Sequence, residues 1–238
     1  MKKLILFLIP VCLSICVLGQ KQFVVDANAQ QRSLNGSFNA ITVSGGIDIY
    51  LSQSDNEAIA VSASEDRYID GIKTIIENNT LKIYYEGDKG WNRKNKNLRA
   101  YVSFKELEKL EASGASDIVV SDGIKVSSLL LKLSGASDFK GDVTVSTLKL
   151  ELSGASDVVV SGTATVVNIE SSGASDVKGY DLKADVCTAK VSGASDVTIT
   201  VNKELNAHAS GASGIYYKGQ AVTKNVESSG ASTISRKD

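Results

Sequence analysis

Proline occurs once in this chain, at Pro10, and histidine, tryptophan and methionine are as rare, at His208, Trp91 and Met1. With no proline beyond Pro10, nothing interrupts long runs of paired backbone, since proline lacks the amide hydrogen that a sheet ladder needs. The three cysteines are Cys12, Cys16 and Cys187, too few for a disulfide framework. A formal net charge of −1 leaves no general reason to expect nucleic acid or an anionic membrane as partner.

Apolar runs are also scarce. The one long example is Leu4 to Leu18, behind Met1-Lys2-Lys3. It has the charged start and short hydrophobic core of a secretory signal peptide, too short to favour a permanent span. Cleavage after Gly19 sets the boundaries: a signal peptide at 1–19 and one mature domain at 20–238. The rival is a lipoprotein box at Leu13-Ser14-Ile15-Cys16, with a bulky Ile before the Cys. Either way Cys187 stays without an intramolecular partner, and the fold relies on packing and backbone pairing.

What is abundant is repetition. Ser-Gly-Ala-Ser recurs seven times, beginning at Ser113, Ser134, Ser153, Ser172, Ser192, Ser210 and Ser229, and the first five copies are followed by Asp. The intervals between the glycines are 21, 19, 19, 20, 18 and 19 residues, a structural period. Four residues before the glycines stand Leu110, Leu131, Leu150, Ile169, Ala189, Ala207 and Val226. One position on, every copy is polar: Glu111, Lys132, Glu151, Glu170, Lys190, His208 and Glu227. Four residues after the glycines, Ile118, Phe139, Val158, Val177, Val197, Ile215 and Ile234 are all apolar.

That period of two marks half-buried strands on both sides of a glycine corner. No single repeat closes a core. Coils stacked about 4.8 Å apart would lay like on like, bury an aliphatic ladder and pair each backbone with its neighbours. The expected fold is therefore all-β, a single-stranded parallel β-helix with coils of about 19 residues in the C-terminal half. A doubly wound α/β fold would need amphipathic helices for which the gaps have no room. An antiparallel sandwich would explain the alternation, but not identical residues at identical offsets.

The domain divides into irregular N-terminal coils at 20–104 and regular repeat coils at 105–238. Ser44-Gly45-Gly46-Ile47-Asp48 reads as a variant corner, and Asn78-Asn79 as a turn. Extending the repeat over the mature length predicts roughly 10 or 11 coils.

These residues resemble the bacterial secreted family labelled putative auto-transporter adhesin, head GIN domain. The likeness runs from Phe38-Asn39-Ala40-Ile41-Thr42-Val43-Ser44-Gly45-Gly46-Ile47-Asp48-Ile49-Tyr50-Leu51, through Leu81-Lys82-Ile83, to the Ser-Gly-Ala-Ser copies. Gly46-Ile47-Asp48 sits where the name-giving Gly-Ile-Asn would stand. The resemblance implies a right-handed parallel β-helix without an established catalytic site, and a role in adhesion at a bacterial surface. No membrane barrel follows the repeats within this sequence, so delivery to the periplasm, its membrane face or the cell surface is the expectation.

Two sets of candidate ligand residues stand out. Asp117, Asp138, Asp157, Asp176 and Asp196 would line one edge of the stack. Charges about 4.8 Å apart repel by roughly 0.9 kcal/mol even in water, so this column must be hydrated, hydrogen-bonded or bridged by cations. The structural reading is that Asp and Ser cap corner backbone. The functional one is a weak Ca²⁺ edge, the single cofactor the sequence raises. Trp91, Tyr84 and Tyr216 could stack on sugar rings, or serve loop packing and end capping.

Cys187 falls in the inward register as a small hydrophobe, and His208 in the solvated polar column. A uniform rod suits a non-catalytic module for glycan or surface binding, the partner being a glycan or a cell-surface protein. The alternative is a polysaccharide-active lyase or hydrolase with its site in the irregular N-terminal half, where Arg67, Arg93 and Arg99 lie, since β-helices host such enzymes. Arg236, Lys237 and Asp238 would discourage end-to-end pairing of the last coil.

Overall fold

The computed structural model describes residues 25–87 and 96–238, so the proposed signal segment and Trp91 lie outside the described residues. Strands in chain order are β1 (Gln30–Arg32), β2 (Ala40–Val43), β3 (Asp48–Gln53) and β4 (Ala58–Ser62), followed by a four-residue helix α1 (Asp66–Ile69). Then come β5 (Ile72–Glu77), β6 (Thr80–Tyr85), β7 (Arg99–Phe104), β8 (Lys109–Ala112), β9 (Asp117–Val120) and β10 (Ile124–Leu133). The long β11 (Asp138–Leu152), β12 (Val158–Ser171), β13 (Val177–Val191) and β14 (Asp196–Ala209) carry the regular repeat, and β15 (Gly214–Lys218), β16 (Val222–Ser228) and β17 (Thr233–Arg236) finish it.

From β8 onward the chain is the expected parallel stack. Leu131 lies on Leu110, Leu150 on Leu131, Ile169 on Leu150 and Ala189 on Ile169, while after the corner Phe139 lies on Ile118 and Val158 on Phe139. These residues are buried, and the intervening polar column faces outward. A second bend falls where two successive residues face away from the core, at Ser146-Thr147, and both flanking segments stay in one strand.

The corners explain why a whole tetrapeptide repeats. In each copy after the first, the alanine amide donates to the carbonyl of the glycine one coil earlier, as in Ala155 N to Gly135 O at 2.7 Å and Ala174 N to Gly154 O at 2.8 Å. Such a ladder through a turn needs one backbone conformation in every coil, which residue identity enforces. Gly173 has φ +86°, and a Cβ there would lie 2.4 Å from the Gly154 carbonyl oxygen.

The N-terminal half departs from the simple extension of the repeat. The Gly45-Gly46 corner lies directly under Gly114, and β2 and β3 pair with β8 and β9. The chain between them turns back: β6 and β7 pair with the opposite edges of β2 and β3, forming a layer beyond the first coil although later in sequence. Antiparallel β5 covers β6, antiparallel β4 covers β7, and β1 covers β4. Buried Ile59, Val61, Ile69 and Ile72 plug this end of the core.

The result is a solenoid of about 7 turns rather than 10 or 11, because residues spent on the cap add no coils. Polar β1 ends one side of the sheet, as suits an edge strand. At the other end β16 is exposed throughout, with Val222 and Val226 uncovered.

Candidate functional site

The second serine of each motif points inward. Ser116, Ser137, Ser156, Ser175 and Ser195 are fully buried, in the same register as the aliphatics two residues on. Ser156 Oγ donates to the Ser153 carbonyl at 3.1 Å, closing its own corner. Ser175 Oγ accepts the Ser156 amide at 3.2 Å, and Ser195 Oγ accepts the Ser175 amide at 3.1 Å, tying coil to coil. Ser171, standing among aliphatics, donates to the Ser175 carbonyl. The Ser116 hydroxyl, against Ile47 of the variant corner, is buried without a partner.

A contrast follows. Ser175→Ala strands a buried amide and should cost about 1 to 3 kcal/mol, whereas Ser116→Ala removes an unpaired hydroxyl and should be near neutral or stabilising. Urea unfolding of the two variants checks the order.

The aspartates do form one edge, and Asp48 extends it below Asp117. Their carboxylates reach the next coil's backbone: Asp138 Oδ1 accepts the Asp157 amide at 3.2 Å, and Asp176 Oδ1 the Asp196 amide at 3.1 Å. Lys178 pairs with Asp157 at 3.1 Å. Burial raises the Asp48 pKa, opposed by the Asp117 amide, and burial together with the Asp138 charge raises that of Asp117. Among the described residues no group of three or more His, Cys, Asp or Glu side chains converges as a metal cage would require. The column ends at Gly214, where a side chain would meet the Tyr216 ring at 2.5 Å and Asp196 Oδ1 at 2.6 Å.

A carboxyl whose pKa is raised by folding favours the fold below its unfolded value, and that benefit is lost as pH rises through the folded value. Asp48→Asn keeps an acceptor for the Asp117 amide and removes the charge. It should raise Tm modestly at pH 7, with the gain vanishing as pH falls below the ordinary carboxylate range; a pH series of thermal melts reads this.

Beside the corner, the outward residues of the preceding strand and the first serines of the motif line an open groove of about 870 Å³ along the stack. Lys132 pairs with Glu111 across coils at 3.8 Å, and His208 Nδ1 with Glu227 at 3.2 Å. The nearer partners of Glu111 and Glu151 are Lys109 and Lys149, two residues away on the same coil, because i and i+2 share a strand face. Lys149 holds the Glu151 carboxyl below its usual range.

The aromatic candidates separate. Tyr84 lies on β6, in the layer at the capped end, and Tyr216 on β15, near the opposite end. Tyr217 packs on the core as an end cap, while Tyr216 faces outward beneath Lys237. Sequence reasoning passed over Tyr180, which sits beneath Lys218. It also passed over Tyr50 and Tyr101, stacked at 5.2 Å between ring centroids. The signal for that pair was long-range register, which Tyr50 in one coil and Tyr101 in a returning strand do not reveal.

Among the described residues, Arg99 and Arg67 are paired and Cys187 is enclosed. Arg99 Nη1 holds both oxygens of Asp26 at 3.0 and 2.9 Å, and Ser62 Oγ donates to the same carboxylate at 2.7 Å. The Ser62 bond, with Arg99 beside it, lowers the Asp26 pKa despite burial. This clamp fixes the N-terminal segment to the cap. Arg67 pairs with Glu65 at the surface, and Arg93 lies outside the described residues. Cys187 is buried as expected, and burial pushes its thiol pKa up to about 12, far from a nucleophilic thiolate.

Comparison with known proteins adds family and fold. Residues 37–221 match the family model described as putative auto-transporter adhesin, head GIN domain. A crystal structure of a putative adhesin from Bacteroides fragilis is 22% identical with a TM-score of 0.82, covering 88% of this chain and 96% of that one. A putative adhesin from Parabacteroides distasonis, 20% identical, superposes with a TM-score of 0.71 over 87% of this chain and 95% of that one. A putative lipid binding protein from the same species, also 20% identical, gives 0.68 over 88% and 96%. No curated protein matches the chain.

Proposed function

The chain belongs to the head GIN domain family, and on that footing we propose that it is an exported, non-catalytic adhesion module that binds a glycan or a protein at a cell surface. The observation that carries this reading is uniformity along the solenoid. Serine, aspartate and charged columns repeat coil after coil, and many of their groups are engaged on the same or a neighbouring coil. A poised acid and base would need one irregular constellation with unlike environments. In the cap, where the polysaccharide-active alternative would lie, Arg99 is committed to Asp26 and Arg67 to Glu65.

Export rests on the sequence of residues 1–19, with cleavage after Gly19 favoured over lipid attachment at Cys16. Among the described residues no helix is long and apolar enough to cross a membrane. A glycan array and whole-cell binding with the purified chain test the adhesion reading, and release of unsaturated or reducing ends from uronic-acid polymers would overturn its non-catalytic part.

Calcium on the aspartate edge enters the same proposal through its hard oxygen donors. Millimolar Ca²⁺ should then raise Tm, and Asp138→Asn with Asp157→Asn should abolish the rise. A melting temperature unmoved by Ca²⁺ disposes of a calcium role.

A further inference from the structure

Several lysines of the stack pair with a carboxylate on their own or an adjacent coil, as in Lys109 with Glu111, Lys149 with Glu151, Lys178 with Asp157, Lys203 with Asp185 and Lys224 with Glu204. Two lysines near the end of the stack lie over aromatic rings instead. Among the described residues, Lys218 and Lys237 have no carboxylate within salt-bridge distance, and both lie on the face that carries Tyr180 and Tyr216, whereas Arg236 pairs with Tyr217 in the inward register. Lys218 Nζ lies 4.9 Å from the Tyr180 ring centroid, and Lys237 Nζ lies 4.8 Å from that of Tyr216.

The register sets these groups along the axis. Tyr180 precedes Tyr216 by two coil steps, about 10 Å. Between them β14 contributes Thr198, which pairs with Tyr216, and Thr200, which pairs with Lys218. The threonine hydroxyls donate inward, Thr198 to the Val177 carbonyl and Thr200 to that of Tyr180, which keeps this floor flat. Tyr180 is close enough to Tyr216 that burial and its neighbour together raise its phenol pKa. The Tyr216 ring covers Gly214, where the aspartate column ends, with Asp196 as its last carboxylate beside that position.

Flat aromatic faces match the apolar faces of pyranose rings, and a cation poised over each face matches an acidic substituent on the ring beside it. We infer that Tyr180, Tyr216, Lys218 and Lys237 form a binding site for an acidic polysaccharide segment lying along the solenoid axis. Two sugar rings take the two tyrosines. The lysines leave the ring faces to pair with the carboxylate or sulfate groups. The inference rests on the adhesion reading above and specifies its ligand class.

The test uses the purified chain and four probes: oligogalacturonate, which offers only carboxylates; dextran sulfate, which offers only sulfates; neutral galactan; and phosphatidylglycerol vesicles. Calorimetry should show binding to one or both acidic glycans, weakening as salt is raised. Lys218→Gln with Lys237→Gln should weaken it at least tenfold, and so should Tyr180→Ala or Tyr216→Ala, with far-UV spectrum and Tm retained. Lys105→Gln with Lys125→Gln, which removes the same charge elsewhere, should leave it unchanged. The inference is overturned by equal affinity for neutral galactan, by undiminished binding in the patch variants, by binding confined to vesicles, or by no binding to either acidic glycan. If cells or neutral glycans still bind in those cases, the adhesion reading survives alone; if nothing binds, both fall.

Discussion

Gly173→Ala should lower the unfolding free energy by about 3 kcal/mol or more, among the largest effects of any single methyl group in this chain. Two costs coincide. A positive φ of +86° burdens any L-residue by about 1 to 2 kcal/mol. The new Cβ also falls 2.4 Å from the Gly154 carbonyl oxygen, the acceptor for the Ala174 amide. Relieving the contact lifts the coil off its neighbour and breaks that bond, and the coil above rests on the same corner through Ala194 N to Gly173 O.

Gly46→Ala supplies the control. Its φ is +71°, but a Cβ there meets nothing nearer than the Ala115 carbonyl oxygen at 3.7 Å. That variant should lose only the conformational share, about 1 to 2 kcal/mol. The difference between the two in urea unfolding isolates the stacking of glycine on glycine; equal losses would refute it.

The same geometry explains what was legible beforehand. Where consecutive coils touch, a residue's neighbour is the residue about 19 positions away, so contact is written as sequence repetition. Ile118, Phe139, Val158 and Val177 could thus be placed in the core before any coordinate was known. The Ser44-Gly45-Gly46-Ile47-Asp48 corner was readable for that reason too, though the corner it meets is far along the chain.

The cap was not readable, because β4, β5 and β1 pair antiparallel and β6 returns beyond β2, so partners share no common offset. Periodicity reports only structure that repeats. At the candidate site the limit was chemical. The serines of the repeat read as corner residues capping backbone, and the inward placement of Ser156 and Ser175 shows only once a buried amide is found needing each hydroxyl. The aspartate edge was visible in the repeat, whereas Tyr180 needed an observed ring beneath Lys218, since bulging between β13 and β14 displaces it from the regular offsets.

A different glycine tests how tightly the core itself is fitted. Gly141 lies outside the set of positive-φ residues, so its backbone would admit a side chain, and space is what forbids one. An added Cβ would lie 2.9 Å from Val120 Cβ and Cγ2 and 3.0 Å from Phe139 Cζ. In the next coil Val158 and Val160 occupy the matching positions, so a smaller residue at 139 is compatible with a larger one at 141. Phe139→Val should cost about 2 kcal/mol through the cavity it opens, and Gly141→Ala about 1 to 2 kcal/mol through overpacking. The double variant should lose less than the sum by about 1 kcal/mol, since the alanine methyl takes part of the vacated space while its contact with Val120 persists. Strict additivity in denaturant unfolding would show that the two sites do not share one volume, and that the core yields where close packing says it cannot.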